Sequence, residues 1–242
     1  HLALGCLQPY LRTNNMFCIW NIQRDHVEPF LSKTNFQPPT RPVENSVFSV
    51  LGRGNWRSSN EILAEGIAWS NSPWELVSKD RLAGIDADLA KELGSAKSSR
   101  VMVGDPIGNS QVIRCGSATE LDQESSSVDL VITDPPFGDI MQYSELSGMF
   151  YSWLRVVLKD EYKHFEPPNA PTALEAVANG FRHGSDADDF YKRALTAAWS
   201  EAHRVLKPGG ILSFTFHHDK DEPWIAVLES LLDAGFYLEA TF

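Results

Sequence analysis

The stretch VDLVITDPPFG, residues 128–138, joins an apolar run to an acid, two prolines and an aromatic ring. Asp134 offers a carboxylate that accepts hydrogen bonds. Pro135 and Pro136 stiffen the chain after it, and Phe137 adds a flat apolar face. Residues of these types could bind a planar group that carries N–H donors. The alternative is structural: an Asp at a strand end, a tight turn and a Phe in the core.

The elements around this motif indicate where it lies. A helix is expected at 146–158, where apolar residues form one stripe that we assign to the core. A second helix should run from Ser185 to Val205, with Ser185 as its cap, and a third over 224–232. Strands are predicted at 101–104, 111–116, 128–133, 210–216 and 236–242.

Strands that alternate with helices predict an α/β fold, with a mostly parallel sheet and helices on both faces. Ligands bind such sheets beyond the carboxyl ends of the strands, which is where the motif would lie. The catalytic part is assigned to residues 100–242. Residues 1–99 are assigned to a partly helical N-terminal region or insert, where Asn60 is expected to cap one helix and a short helix is expected around 86–93.

Composition limits the classes of function. A net charge of −11 over 242 residues argues against binding nucleic acid with the whole surface, although a local basic groove remains compatible with it. Cys6, Cys18 and Cys115 form neither a disulfide framework nor a zinc pattern, which indicates a reducing cytoplasm. We expect no membrane association, because no apolar run approaches roughly 18 residues and the start shows no signal-peptide pattern.

The motif and two longer runs resemble a known family. Asp134-Pro135-Pro136-Phe137 resembles the [DNS]-P-P-[YFW] signature of S-adenosylmethionine (AdoMet)-dependent amino-methyltransferases. TDPPFGDIMQYSELSGMFYSWLR (133–155) and EAHRVLKPGGILSFTFHHDKDEPWIAVLESLLDAGF (201–236) resemble segments of the large adenine-specific DNA methylase-like proteins with a zinc ribbon. The resemblance implies a Rossmann-like class I methyltransferase fold, AdoMet as cofactor, DNA as partner, methylation of adenine N6, and a role in restriction-modification or phage defence.

The resemblance also implies roles for the motif residues. Asp134 would accept one N–H of an exocyclic amino group, and the Pro135 carbonyl would accept the other. Pro136 would help to stiffen the loop, and the target base, flipped out of its stack, would lie on Phe137.

The cofactor side departs from the family pattern. Gly116-Ser117-Ala118 stands where the family has Gly-Asp-Ala, so these residues, with Asp134, are the predicted AdoMet contacts. The family's F-x-G-x-G loop is not found in this sequence. We expect it in the remaining part of the full-length chain, which would then be a required partner.

Four further residues are candidates for substrate binding. Tyr143 follows the motif, His217 lies after the strand 210–216, and Glu44-Asn45 loosely matches a family segment. No metal site is predicted, because His217 and His218 are adjacent on a strand end and should point to opposite sides.

Two alternatives remain open. TDPPFG also resembles guanine-N2 RNA methyltransferases, whose motif is commonly followed by Gly, although the L-S-x-x-F-Y-x-W-L run favours the DNA family. The second alternative is a non-catalytic interaction fragment of a larger methylase-like protein, because the Gly-rich loop is not found and Ser117 replaces an acid.

Overall fold

The structure is a computed structural model that describes residues 1–29, 43–50, 52–85, 91, 98–102 and 113–241. The chain forms two compact units, His1–Ile113 and Arg114–Phe242. Both units combine helices with short strands, so the mixed helix and strand class is confirmed. The assignment of 1–99 and 100–242 to different functions stays a prediction.

The first unit contains two antiparallel strand pairs and three described helices. Its elements are α1 (Leu2–Thr13), β1 (Ile19–Asn21), β2 (His26–Glu28), α2 (Trp56–Asn71), β3 (Trp74–Ser78), α3 (Lys79–Ile85) and β4 (Ser98–Met102). β1 pairs with β2, and β3 pairs with β4. The strand predicted at 101–104 corresponds to the end of β4. It pairs antiparallel with β3, with Trp74 opposite Met102. Residues 103 and 104 lie outside the described part.

The cap of α2 differs from the prediction. The side chain of Asn55 accepts a hydrogen bond from the Ser58 amide at 2.8 Å, so the helix begins at Trp56. Asn60 lies inside the helix and donates to the Trp56 carbonyl instead. A cap must precede the first turn with an extended backbone, which Asn55 has and a residue within the helix cannot have. The helix predicted around 86–93 lies outside the described residues, apart from residue 91.

The second unit carries the motif. Its elements are β5 (Val128–Thr133), α4 (Tyr143–Leu158), α5 (Gly180–His183), α6 (Ala187–Val205), β6 (Leu206–Phe214) and α7 (Asp221–Asp233), with single 3-10 turns at Lys163–Phe165, Thr172–Leu174 and Gly184–Asp186. The predicted strand at 128–133 and the predicted helix end at Val205 are confirmed. The predicted start at Ser185 is wrong: a 3-10 turn precedes α6, and Asp186 precedes the helix without capping it, because its carboxylate pairs with Arg193.

β5 and β6 form a parallel pair in which Thr133 lies opposite Phe214. One face of the pair packs on α6 and α7 through Leu212 and Phe214. The buried cluster on that face consists of Ala178, Tyr191, Leu195, Trp199, Val227 and Leu231. The other face exposes Leu130, Ile132 and Ile211. The parallel sheet that the structure describes is thus covered by helices on one face.

Two predicted strands are not formed. Residues 113–116 have no strand conformation, and 111 and 112 lie outside the described part. Residues 236–241 are also not a strand, and no described strand pairs with them. Phe236 packs into the core beside His203 instead, while Tyr237 and Leu238 are exposed. A strand requires a neighbour for its backbone hydrogen bonds, and an apolar pattern alone does not supply one.

The apolar stripe of α4 is only partly in the core. Leu146 and Leu158 are buried, whereas Trp153 and Val157 are 53% and 54% exposed. The prediction that the whole stripe is core is therefore wrong for Trp153 and Val157, because no described element covers that part of the helix. None of the helices in the described part of the chain has both the length and the apolar composition that a membrane crossing requires.

Candidate functional site

The parallel pairing of β5 and β6 brings Asp134 to Thr215. The Thr215 amide donates to the Thr133 carbonyl at 3.2 Å, which extends the register one residue beyond the strands. The Thr215 hydroxyl then donates to Oδ1 of Asp134. The Asp134 side chain is otherwise exposed. The carboxylate therefore lies at the carboxyl edge of the sheet, oriented by one neutral donor and open to a ligand.

The Pro-Pro turn is anchored to α6 by a buried tyrosine. The Tyr191 hydroxyl donates to the Pro136 carbonyl at 2.6 Å, and the Gly138 amide lies 3.2 Å from the same oxygen. Burial raises the pKa of Tyr191 to about 12, so the hydroxyl keeps its proton and remains a donor. The turn thus satisfies the Pro136 carbonyl internally, whereas the carbonyl of the buried Pro135 receives no hydrogen bond from the described residues.

Phe137 and Gly138 complete the loop. The Phe137 ring is half-buried and meets Phe216 edge to face, with 5.4 Å between the ring centroids. Gly138 has a φ of +62°, and a Cβ there would lie 3.1 Å from Pro223 and 3.3 Å from His218 Nε2. The loop therefore needs glycine both for its backbone conformation and for its close approach to the segment after β6.

His218, which was not predicted as a site residue, is the histidine that contacts this loop. Its side chain is 1% exposed, and Nε2 lies 3.3 Å from Asp139 Oδ1. Nδ1 accepts a hydrogen bond from the Lys220 amide at 3.0 Å. His217, the predicted substrate residue, is exposed. A strand-like alternation in the sequence could have identified His218. Every second residue from Leu212 to His218 faces inward, and the residues between them are exposed.

Tyr143 begins α4, and its electrostatic environment includes the motif. Burial, and after it the negative charges of Asp134 and Glu175, raise the pKa of Tyr143. Burial by itself would raise the pKa of Glu175, but hydrogen bonds from Ser144 and Arg182 together hold it below its ordinary value. Tyr143 therefore keeps its proton, and the negative charges of Asp134 and Glu175 both contribute to this.

The predicted AdoMet contacts Gly116, Ser117 and Ala118 are all exposed. The Ser117 hydroxyl lies 2.8 Å from the Thr119 hydroxyl and accepts from the Thr119 amide. No hydrogen bond or ion pair within the described residues joins this segment to Asp134. The role of these residues in binding AdoMet therefore stays a prediction.

Glu44 and Asn45 belong to the first unit. Glu44 is exposed, and the Asn45 side chain donates to the Arg53 carbonyl at 2.9 Å. This bond is a local loop contact, and the role of both residues in substrate binding stays a prediction.

The segment that leads into β5 is held by α6. Arg204 donates through Nη2 to the carbonyls of Leu121 (3.2 Å) and Gln123 (2.9 Å) and to Glu201 at 2.7 Å. Glu201 also accepts from the Leu121 amide at 2.7 Å. The hydrogen bond from Arg204, followed by that from Leu121, lowers the pKa of Glu201 from its ordinary 4.5 to about 2. Four residues thus fix where the chain enters β5.

This carboxylate predicts an acid-dependent contribution to stability. Because the folded pKa of Glu201 is lowered, its contribution is present above about pH 4.5 and is lost as the pH falls toward about 2. We expect Glu201→Gln to lower the urea midpoint at pH 7. The difference from the wild type should shrink below pH 4.5 and vanish near pH 2, as followed by circular dichroism. A difference that stays constant from pH 7 to 2 would contradict this assignment.

Two surface cavities are lined by described residues, and neither includes Asp134. One, of about 420 Å³, begins next to Tyr143 and is lined by Ser144, Glu145, Gly148, Tyr151, Ser152, Asn169, Ala170 and Thr172. The other, of about 530 Å³, lies over α6 and the end of α7. Within the described residues, no group of three or more His, Cys, Asp or Glu side chains is arranged to hold a metal ion.

Comparison with known proteins adds no relative: no protein-family model matches the chain, and no match was found among curated proteins or solved structures. Any functional conclusion therefore depends on the sequence motif and on the geometry around it.

Proposed function

We propose that this chain carries the catalytic part of an AdoMet-dependent methyltransferase that modifies the exocyclic amino group of a nucleobase, adenine N6 in DNA. The observation that carries the proposal is the placement of Asp134. Its carboxylate lies at the carboxyl end of a parallel strand, is oriented by Thr215, and is followed at once by an anchored Pro-Pro turn.

This arrangement suits an exocyclic amino group because such a nitrogen is a poor nucleophile. Its lone pair is delocalised into the ring. If Asp134 accepts one N–H and the Pro135 carbonyl accepts the other, the nitrogen is drawn toward tetrahedral geometry and its lone pair becomes directional. The anchored turn keeps the two acceptors in place, so little ordering entropy is lost on binding.

A Rossmann-like fold is part of the proposal. The connection from β5 to β6 contains α4, α5 and α6 and joins two parallel strands, as a βαβ crossover does. Helices α6 and α7 pack on one face of the pair. Further parallel strands beside β5 or β6, and helices on the exposed face, would complete a sheet of this class.

The residues predicted to contact the methyl donor are not joined to Asp134 by any hydrogen bond within the described part of the chain. AdoMet would supply an electrophilic methyl group to the oriented nitrogen. The described residues do not build a pocket for it, because Gly116, Ser117 and Ala118 are all exposed and Ser117 is bonded to Thr119. We therefore assign the described residues around Asp134 the binding and orientation of the base, and the AdoMet contacts stay a prediction.

The test is a transfer assay with the full-length protein and labelled AdoMet. The substrates are duplex DNA, single-stranded DNA and RNA, each digested afterwards to nucleosides. Label in N6-methyladenine from DNA is the expected result. Label only in N2-methylguanine from RNA would show that the substrate is RNA guanine rather than DNA adenine, with methylation of an exocyclic amino group unchanged. A protein that neither binds AdoMet nor transfers label would overturn the proposal and favour a binding module.

A further inference from the structure

Residues 175–182, here called the brace, contact the candidate site at two points. The Ala178 amide donates to the Gly138 carbonyl at 3.1 Å, directly after the motif. The Asn179 side chain donates to Oε1 of Gln142 at 2.6 Å, directly before α4. One segment therefore holds both the end of the motif loop and the start of the following helix.

The brace also carries an ion pair that holds the first turn of α4. The Glu175 carboxylate, 9% exposed, accepts from both the amide and the hydroxyl of Ser144. Arg182 donates to Glu175 at 2.8 Å, to Glu145 at 3.0 Å and to the Ser144 hydroxyl at 3.1 Å. Arg182 also donates to the Thr172 carbonyl at 3.2 Å, so the largely buried carboxylate is neutralised by a planar cation whose donors reach four groups.

Tyr143 lies between the two residues that the brace holds. Gln142 before it and Ser144 after it are both bonded to the brace, so the backbone of Tyr143 is fixed relative to the loop that carries Asp134. We infer that Glu175 and Arg182 are positioning residues that hold Tyr143 against the base bound by Asp134. This inference rests on the proposed function and on the predicted role of Tyr143 in binding the base.

The first experiment measures how strongly the brace stabilises the start of α4, and it does not depend on enzymatic activity. Amide hydrogen exchange of the full-length protein is compared between the wild type, Arg182→Met and Arg193→Met. The matched control Arg193 is exposed and, among the described residues, forms an ion pair with Asp186, just before α6. We expect Arg182→Met to speed exchange in residues 138–146 by about tenfold while exchange in α6 stays unchanged. Exchange that stays at the wild-type rate, or that rises across the whole second unit, would overturn the inference.

The second experiment tests whether the effect of Arg182 on catalysis depends on Tyr143. We expect Arg182→Met to lower kcat by about tenfold, with less than about a threefold change in KM, while Arg193→Met changes neither. Tyr143→Ala should lower kcat too, and adding Arg182→Met to it should cost less than about twofold more. Independent, multiplicative losses would overturn the coupling.

Failure of the proposed function and failure of the positioning inference give different results. If the wild type transfers no methyl group but exchange in 138–146 rises locally in Arg182→Met, the hold on α4 is supported and the proposed function fails. If the wild type is active and exchange rises locally but kcat stays unchanged, the proposed function stands and the positioning role is overturned.

Discussion

Replacing Asp134 with Ala in the full-length protein is expected to lower methyl transfer by at least about 100-fold, roughly 2.7 kcal/mol in the barrier. The carboxylate is exposed at the strand end and already oriented by Thr215, so its removal deletes one of two acceptors for the amino group. The measurement is single-turnover transfer at saturating AdoMet. It isolates the chemical step from cofactor binding.

Two variants make this result specific. Asp134→Asn keeps an acceptor oxygen that Thr215 can still hold, so it should retain more activity than Asp134→Ala. Asp129→Ala is the matched control, because Asp129 lies on the same strand and pairs at the surface with Lys207. It should transfer within about twofold of the wild type, as is usual for an exposed side chain away from a site. Equal activity of Asp134→Ala and Asp129→Ala would remove Asp134 from the reaction.

The sequence predicted the elements whose pattern has a local cause. β5 has the predicted bounds because VDLVIT is rich in β-branched residues and is bounded by a turn and by two prolines. α6 ends at Val205 because Lys207-Pro208-Gly209-Gly210 cannot continue a helix. The position of the motif at a strand's carboxyl end follows from these two facts. That part of the candidate site could therefore be predicted.

Features that depend on a distant partner could not be predicted in this way. Tyr191 anchors the Pro136 carbonyl from 55 residues away, and Glu175 and Arg182 hold the first turn of α4 from outside it. Residues 236–241 have a strand-like composition but no described neighbour to pair with. His218 was detectable, because the alternation along β6 continues past the strand end and places it on the buried side.

The apolar stripe on α4 shows that packing against a distant element also could not be predicted from the sequence. Periodicity establishes that apolar residues share one face of a helix, but not whether another element covers that face. Trp153 on α4 and Trp199 on α6 both lie on apolar faces of long helices, yet they are 53% and 3% exposed. The pair therefore offers a direct test of which helix face belongs to the core.

Trp199→Ala is expected to lower the free energy of unfolding of the second unit by about 4 kcal/mol. The ring packs against Phe214 of β6, with 5.7 Å between centroids, and its Nε1 donates to Ser230 of α7 at 3.0 Å. Truncation leaves a large cavity between the two helices and the sheet. It also removes a buried hydrogen bond. Since domains are stable by only about 5–15 kcal/mol, the loss should be visible as a large shift of the urea midpoint.

Trp153→Ala is the matched control and should lower the same free energy by less than about 1 kcal/mol, since an exposed side chain leaves no cavity. Trp199→Phe should fall between the two, because it keeps an aromatic ring and loses the bond to Ser230. If Trp153→Ala costs as much as Trp199→Ala, the stripe on α4 is buried in the native protein after all. The helix that follows the motif would then belong to a larger core. Its first turn, with Tyr143, would then be held by the packing of the rest of α4 as well as by the brace.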